Sequence, residues 1–175
     1  GSVDSGWQRL RPYLALTDLQ LYDSEGRVAL SLPSVSCTLS WDSLAFGALR
    51  FHSLFFDKPH LNIRRDQGGA VYVAGLRLNT EASSKGFSGW LLAQREVIVR
   101  DAQVSWDDQL RHAPPLSLAN VNFLMRNRGS QHRFALRAQP PRELAAALDL
   151  RGELAGASFA QLQAWNGSLY AELPY

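Results

Sequence analysis

Residues 14–21, LALTDLQL, decide how the chain folds. Leu14 and Leu16 alternate with small neighbours as on a half-buried strand, but the next apolar pair, Leu19 and Leu21, has slipped to the other parity. In a regular strand the side chains at i and i+2 share a face. The slip therefore sends the second pair to the opposite side unless the backbone absorbs a residue. The same ΦxΦxxΦxΦ spacing, with Φ apolar, returns at Leu30, Leu32, Val35, Cys37; at Leu49, Phe51, Leu54, Phe56; at Val71, Val73, Leu76, Leu78; at Val97, Val99, Ala102, Val104; and at Leu116, Leu118, Val121, Phe123. Two geometries bring the four apolar residues of a copy back to one face: a β-bulge, or a two-residue hairpin whose flanking residues pair across the turn. The interrupting pairs Thr17-Asp18, His52-Ser53, Arg100-Asp101 and Ala119-Asn120 lack the Asn-Gly or Asp-Gly of a tight primed turn and predict bulges or bends. Pro33-Ser34 and Ala74-Gly75 predict true turns, because Pro removes a ladder donor and Gly permits positive φ.

Alternating runs predict strands over 13–22, 27–32, 35–41, 48–56, 60–65, 70–73, 97–106, 116–125, 131–139, 145–154 and 167–173. Asp23-Ser24-Glu25-Gly26 and Asp66-Gln67-Gly68-Gly69 are turn chemistry and predict antiparallel hairpins in a meander. Bulges in successive strands sharpen twist, so the expected fold is mainly β, a strongly curled antiparallel sheet. Short helices are expected at WLLAQ (90–94) and over 159–165. Gly1-Ser2 reads as a cloning scar. Residues 3–175 read as one domain, with hairpin blocks over 13–79 and 97–175 joined by the small, polar stretch 80–95. Residues 19–41 and 97–125 resemble each other as strand, acidic turn, strand, Pro-marked break and strand, which predicts a repeated, stacked unit.

The 175 residues are 46% hydrophobic, as in a globular or groove-forming chain, and the net charge of +2 is too weak to argue for nucleic acid. Anionic lipid headgroups remain open as partners of the local arginines. Cys37 is the single cysteine, which excludes an internal disulfide, and its place in the second apolar quartet predicts a buried small hydrophobe. No apolar run reaches the roughly 18 residues that span a bilayer. Signals for catalysis are poor. His52, His60, His112 and His132 show no metal-ligand spacing, Asp107 and Asp108 are adjacent and read as turn formers, and Gly68-Gly69 is a hairpin tip with no helix after it. The aromatics Trp41, Trp106, Phe51, Phe56, Phe123 and Phe134 do not alternate with basic residues as a base-stacking platform would.

Longer phrases carry a resemblance: DLQLYDSEGRVALSLPSVSCTLSWDSLAFGALRFHSLFFDKPHLNIRRDQGG, VIVRDAQVSWDD, APPLSLANVNF, LDLRGEL and WNGSLYAELPY. In order and spacing these resemble the N-terminal periplasmic part of a large AsmA-like protein of Gram-negative bacteria, from a family of repeating β-groove lipid-transfer proteins. The resemblance implies an open groove, or β-taco, that moves phospholipid between inner and outer membrane without enzymatic chemistry and without a cofactor. It implies a periplasmic location, an inner-membrane anchor through an N-terminal helix absent from these residues, and inner-membrane proteins as further partners. The expected acyl-chain contacts are Leu30, Leu32, Val35, Cys37, Leu39, Phe51, Leu61, Ile63, Val99, Val104, Leu118, Val121 and Phe123. The alternative is a structural or assembly factor of the envelope, whose apolar face would be sealed as ordinary core.

Overall fold

The computed structural model describes residues 1–8, 11–23, 25–40, 50–77, 90–141, 147–156 and 165–172. Among them twelve strands form one sheet: β1 (Val3–Gln8), β2 (Arg11–Tyr22), β3 (Val28–Leu39), β4 (Phe51–Asp57), β5 (His60–Arg65), β6 (Val71–Val73), β7 (Leu76–Arg77), β8 (Glu96–Asp108), β9 (Leu116–Arg128), β10 (Gln131–Gln139), β11 (Leu148–Ala155) and β12 (Asn166–Glu172). Across the sheet the order runs β1, β2, β3, then β4 and β5 end to end, then β8 to β12, with the β6–β7 hairpin on β5. The sheet is curled and does not close into a barrel. Among the described residues its outer strands β1 and β12 each have one partner.

The skipped beat of Leu14–Leu21 is a crease that crosses the sheet. Asp18, Lys58, Asp101 and Asn120 hold left-handed backbone at φ 55°, 50°, 51° and 47°. Pairing puts them nearly level. Asp18 faces Pro33, because Thr17 pairs with Ser34 and Leu19 with Leu32. Pro33 in turn faces Lys58, because Ser34 pairs with Asp57 and Ser31 with His60. Lys58 faces Asp101, since Asp57 pairs with Arg100 and His60 with Gln103. Between β8 and β9 each strand carries one extra residue in turn, so the register shifts between Val99 and Ala102 and shifts back between Ala102 and Val104. A left-handed residue in a strand re-aims the side chains after it, which restores each quartet to one face.

Two expectations are corrected. Pro33-Ser34 is no turn: β3 runs unbroken from Val28 to Leu39, and Pro33 sits at the crease, where β4 has ended and β5 has not begun, so the ladder loses little there. Nor is the sheet a pure antiparallel meander, for β4 and β5 pair with β8 in parallel. A parallel pair needs a crossover, and residues 66–95 supply it with the β6–β7 hairpin and a helical turn at 90–93. Ala74-Gly75 is the expected tight turn. Both residues have positive φ, 52° and 77°, as a type I′ hairpin requires, and Val73 pairs with Leu76 across it. His52 is a bulge, with Phe51 opposite Leu39 and Ser53 opposite Thr38. The repeated unit is a long hairpin creased in both strands, β2–β3 and again β8–β9. The acidic turn expected in the second copy is the crease residue Asp101, inside β8. The stretch 80–89, most of the helix expected over 159–165, and Leu49, Leu78 and Trp41 lie outside the described residues.

Candidate functional site: one apolar face, covered at one end

Directly paired residues point to the same side of a sheet, so the registers build rows across it. One row runs Val35, Phe56, Val99, Phe123, Leu136, Leu150 through consecutive strands. A second runs Leu14, Cys37, Leu54, Val97, Met125, Phe134. On the other side of the crease a third runs Leu21, Leu30, Leu61, Val104, Leu118. All the expected contact residues fall on this face. Val35, Cys37, Val99, Phe123, Leu30, Leu61, Val104 and Leu118 stand in the rows just given. Leu39 pairs with Phe51, Leu32 with Leu19, Ile63 with Trp106 and Val121 with Ala102. The face is continuous through the crease, since Ala102, Val121 and Ala138 are buried in one cluster with Val99, Val104, Leu118, Leu136 and Leu148.

The two ends of the face differ. At the end where β4 and β8 begin, the helical turn 90–93 lies over it. Cys37, Leu54, Leu92, Val97 and Met125 are all buried there, packed by Leu14, Phe51, Trp90, Leu91 and Trp165. Trp90 meets Phe51 edge-on at 6.2 Å. Burial pushes the Cys37 thiol above its ordinary pKa. A polar clasp ties this cover down. Gln94, fully buried, accepts from the Phe51 amide at 2.8 Å and donates to the Trp90 carbonyl. Asn127 donates through Nδ2 to the carbonyls of Gln94 at 2.7 Å and Leu91 at 3.3 Å. Its Oδ1 lies 2.7 Å from Nδ1 of buried His132, whose Nε2 lies 2.9 Å from the Gly156 carbonyl. The His132 ring stacks on Trp165 at 5.3 Å. Sequence reasoning missed this clasp. Its one signal is Asn127, a polar residue two places after Met125 and therefore on the apolar side.

Among the described residues nothing covers the far end. None of Leu21, Leu30, Leu61, Val104 and Leu118 is buried, and Leu19 and Leu21 are 36% and 49% exposed. At its rim Arg65 donates to buried Asp108 through Nε at 2.8 Å and through Nη2, and these hydrogen bonds hold the Asp108 carboxyl below its ordinary pKa. The opposite face of the sheet carries ion pairs beside a shorter apolar row, Phe55, Ile98 and Leu124. Arg126 pairs with Glu96 at 2.8 Å and Arg133 with Glu153 at 3.0 Å, while Arg137 and Arg151 both hold Asp149, at 2.8 and 2.9 Å. Among the described residues no three His, Cys, Asp or Glu side chains gather as a metal site, and no helix is long and apolar enough to cross a membrane. Such an arrangement can bind apolar matter along one side and stay wetted on the other.

A family model described as YhdP protein matches residues 1–175, the whole chain. The chain belongs to the YhdP family. No curated protein and no solved structure matches it. Membership fits a protein of the cell envelope, and the YhdP family is not a known enzyme family.

Proposed function

We propose that this YhdP-family chain is a section of a non-enzymatic lipid conduit, in which phospholipid acyl chains lie along the apolar face while headgroups stay at its wetted margin. The observation that carries the reading is the row Leu21, Leu30, Leu61, Val104, Leu118, which nothing covers among the described residues: five apolar partners on adjacent strands, Leu21 exposed and the other four half-buried. Monomeric soluble proteins rarely leave a contiguous apolar row unsealed without a partner for it. Four spacings of about 4.8 Å make the row about 19 Å long, against about 15 Å for the hydrocarbon half of a bilayer, so one acyl chain fits along it. Each CH₂ removed from water is worth about 0.8 kcal/mol, which holds a lipid without any fixed polar contact. Uniform contact of this kind also lets a chain slide. In this reading the protein works in the periplasm, is anchored to the inner membrane by a segment outside these residues, and passes phospholipid toward the outer membrane.

A second reading, an envelope assembly factor with a sealed interior, draws on the covered end, where Cys37, Val97 and Met125 are as buried as any core residue. The two part at the uncovered row. A photo-crosslinker at Leu61 or Leu118, placed in the protein in cells, is expected to capture phospholipid, while one at Asn122, which pairs with Arg137 on the polar face, is not. Adducts at none of these positions would favour the assembly factor.

A further inference from the structure

We propose that the polar face at the covered end holds a binding site for a phosphate-bearing anion. A cavity of about 330 Å³ is lined there by His52, Arg95, Glu96, Arg126, Arg128 and Arg133 among others. The strands assemble it: Glu96, Arg126 and Arg133 are consecutive partners on β8, β9 and β10, and Arg128 follows Arg126 on the same side of β9. Arg126 and Arg133 therefore face each other directly, an arrangement of like charges that destabilises a sheet unless each is neutralised. Glu96 and Glu153 give each of these two a single carboxylate. Arg95 and Arg128 are exposed, and no side-chain partner is described for either. Four guanidiniums thus meet two carboxylates around one concavity, and a concave surface of one sign concentrates its field on a counter-ion. Guanidinium forks match phosphate oxygens two at a time, whereas a chloride or a lone carboxylate would leave donors unused. A cavity of this size is at the small end of ligand sites and suits a phosphate and its ester rather than a large cofactor.

The site does not depend on acyl chains entering the apolar face, so either assignment can fail alone. Phosphate chemistry reaches it from two sources, a free anion or a lipid headgroup, and two probes separate them. Purified chain is titrated with inorganic phosphate by calorimetry, and its sedimentation with phosphatidylglycerol vesicles is measured with and without competing phosphate. Arg95→Gln/Arg128→Gln is expected to weaken binding about tenfold or more, from the loss of charge-assisted hydrogen bonds. Arg27→Gln/Arg111→Gln, away from this cavity, removes the same charge and is expected to leave binding within about twofold, because screening confines such effects to about 10 Å. Arg95→Lys/Arg128→Lys keeps the charge without the fork and should fall between. Phosphate that binds and displaces vesicles identifies the phosphate group itself as the ligand. Vesicle binding lost only in the Arg95 and Arg128 variants, without competition by phosphate, identifies the membrane headgroup. Binding of neither probe, or equal loss in both double glutamine variants, would overturn the proposal.

Discussion

Asp149 sits between two guanidiniums on the polar face, with Arg151 and Arg137 both donating to its carboxylate. Those hydrogen bonds, from Arg151 first, pull its pKa from 3.8 down to about 2. Asp108 is held low by Arg65, and Asp23 by the backbone and side chain of Arg27. A carboxyl whose pKa is lower in the folded chain favours folding above its unfolded pKa, and the contribution is lost as pH falls through the folded value. Melting temperature is therefore expected to hold steady between about pH 5 and 8 and to drop between about pH 4 and 2. Asp149→Asn should flatten that acid limb in a calorimetric scan series; an unchanged limb would mean the pair contributes nothing to folding. At this scale the sequence was legible where one residue type has one use. A lone cysteine in an apolar quartet is buried, as expected for Cys37. Local pattern marks Asp108 only as a turn former. It does accept the Arg111 amide at 3.3 Å, but its partner Arg65 comes from a strand far away in sequence, beyond the reach of local pattern. His132 and Gln94 were illegible for the same reason: their roles exist only once β4, β9 and the helical turn meet.

The crease is a property of elements, because it requires several strands to skip a beat at one level. The quartets made it visible, and they placed most strands to within a few residues. They did not show that Pro33 belongs to it. A proline after an apolar run reads as a stop, and only the level alignment with Asp18 and Lys58 explains why a central strand tolerates it. The parallel pairing of β4 and β5 with β8 was equally hidden, since alternating apolar residues look the same in either direction. β1, though, was missed because Asp4, Ser5 and Gly6 are poor strand formers. Lys58 gives the sharpest test. Its backbone is left-handed, yet its amide still donates to the Arg100 carbonyl at 2.8 Å. Lys58→Gly is expected to stabilise by about 0.5–1 kcal/mol, since the steric cost of about 1–2 kcal/mol that lysine bears in this region exceeds the entropy cost of about 0.5–1 kcal/mol that glycine brings. Lys58→Val should destabilise by about 2 kcal/mol, because a β-branched side chain resists positive φ. Opposite signs in urea unfolding support a crease made by backbone conformation. Two variants that destabilise alike would point to the lysine side chain instead.

At the scale of the molecule the sheet divides its apolar face into a sealed part and an open part. The helical turn, Trp165 and the clasp of Gln94, Asn127 and His132 close one end. Beyond the crease the face has no such cover among the described residues, an asymmetry that the proposed conduit requires and an ordinary two-layer fold does not. It was not legible in the sequence, where both halves carry the same quartets and where nothing marks 90–93 as a lid. The central claim is that the open part binds acyl chains, and native mass spectrometry of the purified chain tests it most directly. The account predicts phospholipid-sized adducts that fall away in Leu61→Asp. That variant should still fold, because Leu61 is only half buried and water reaches the introduced charge. A chain that carries no lipid, together with a Leu61→Asp variant that unfolds, would show the row to be sealed core and contradict the account.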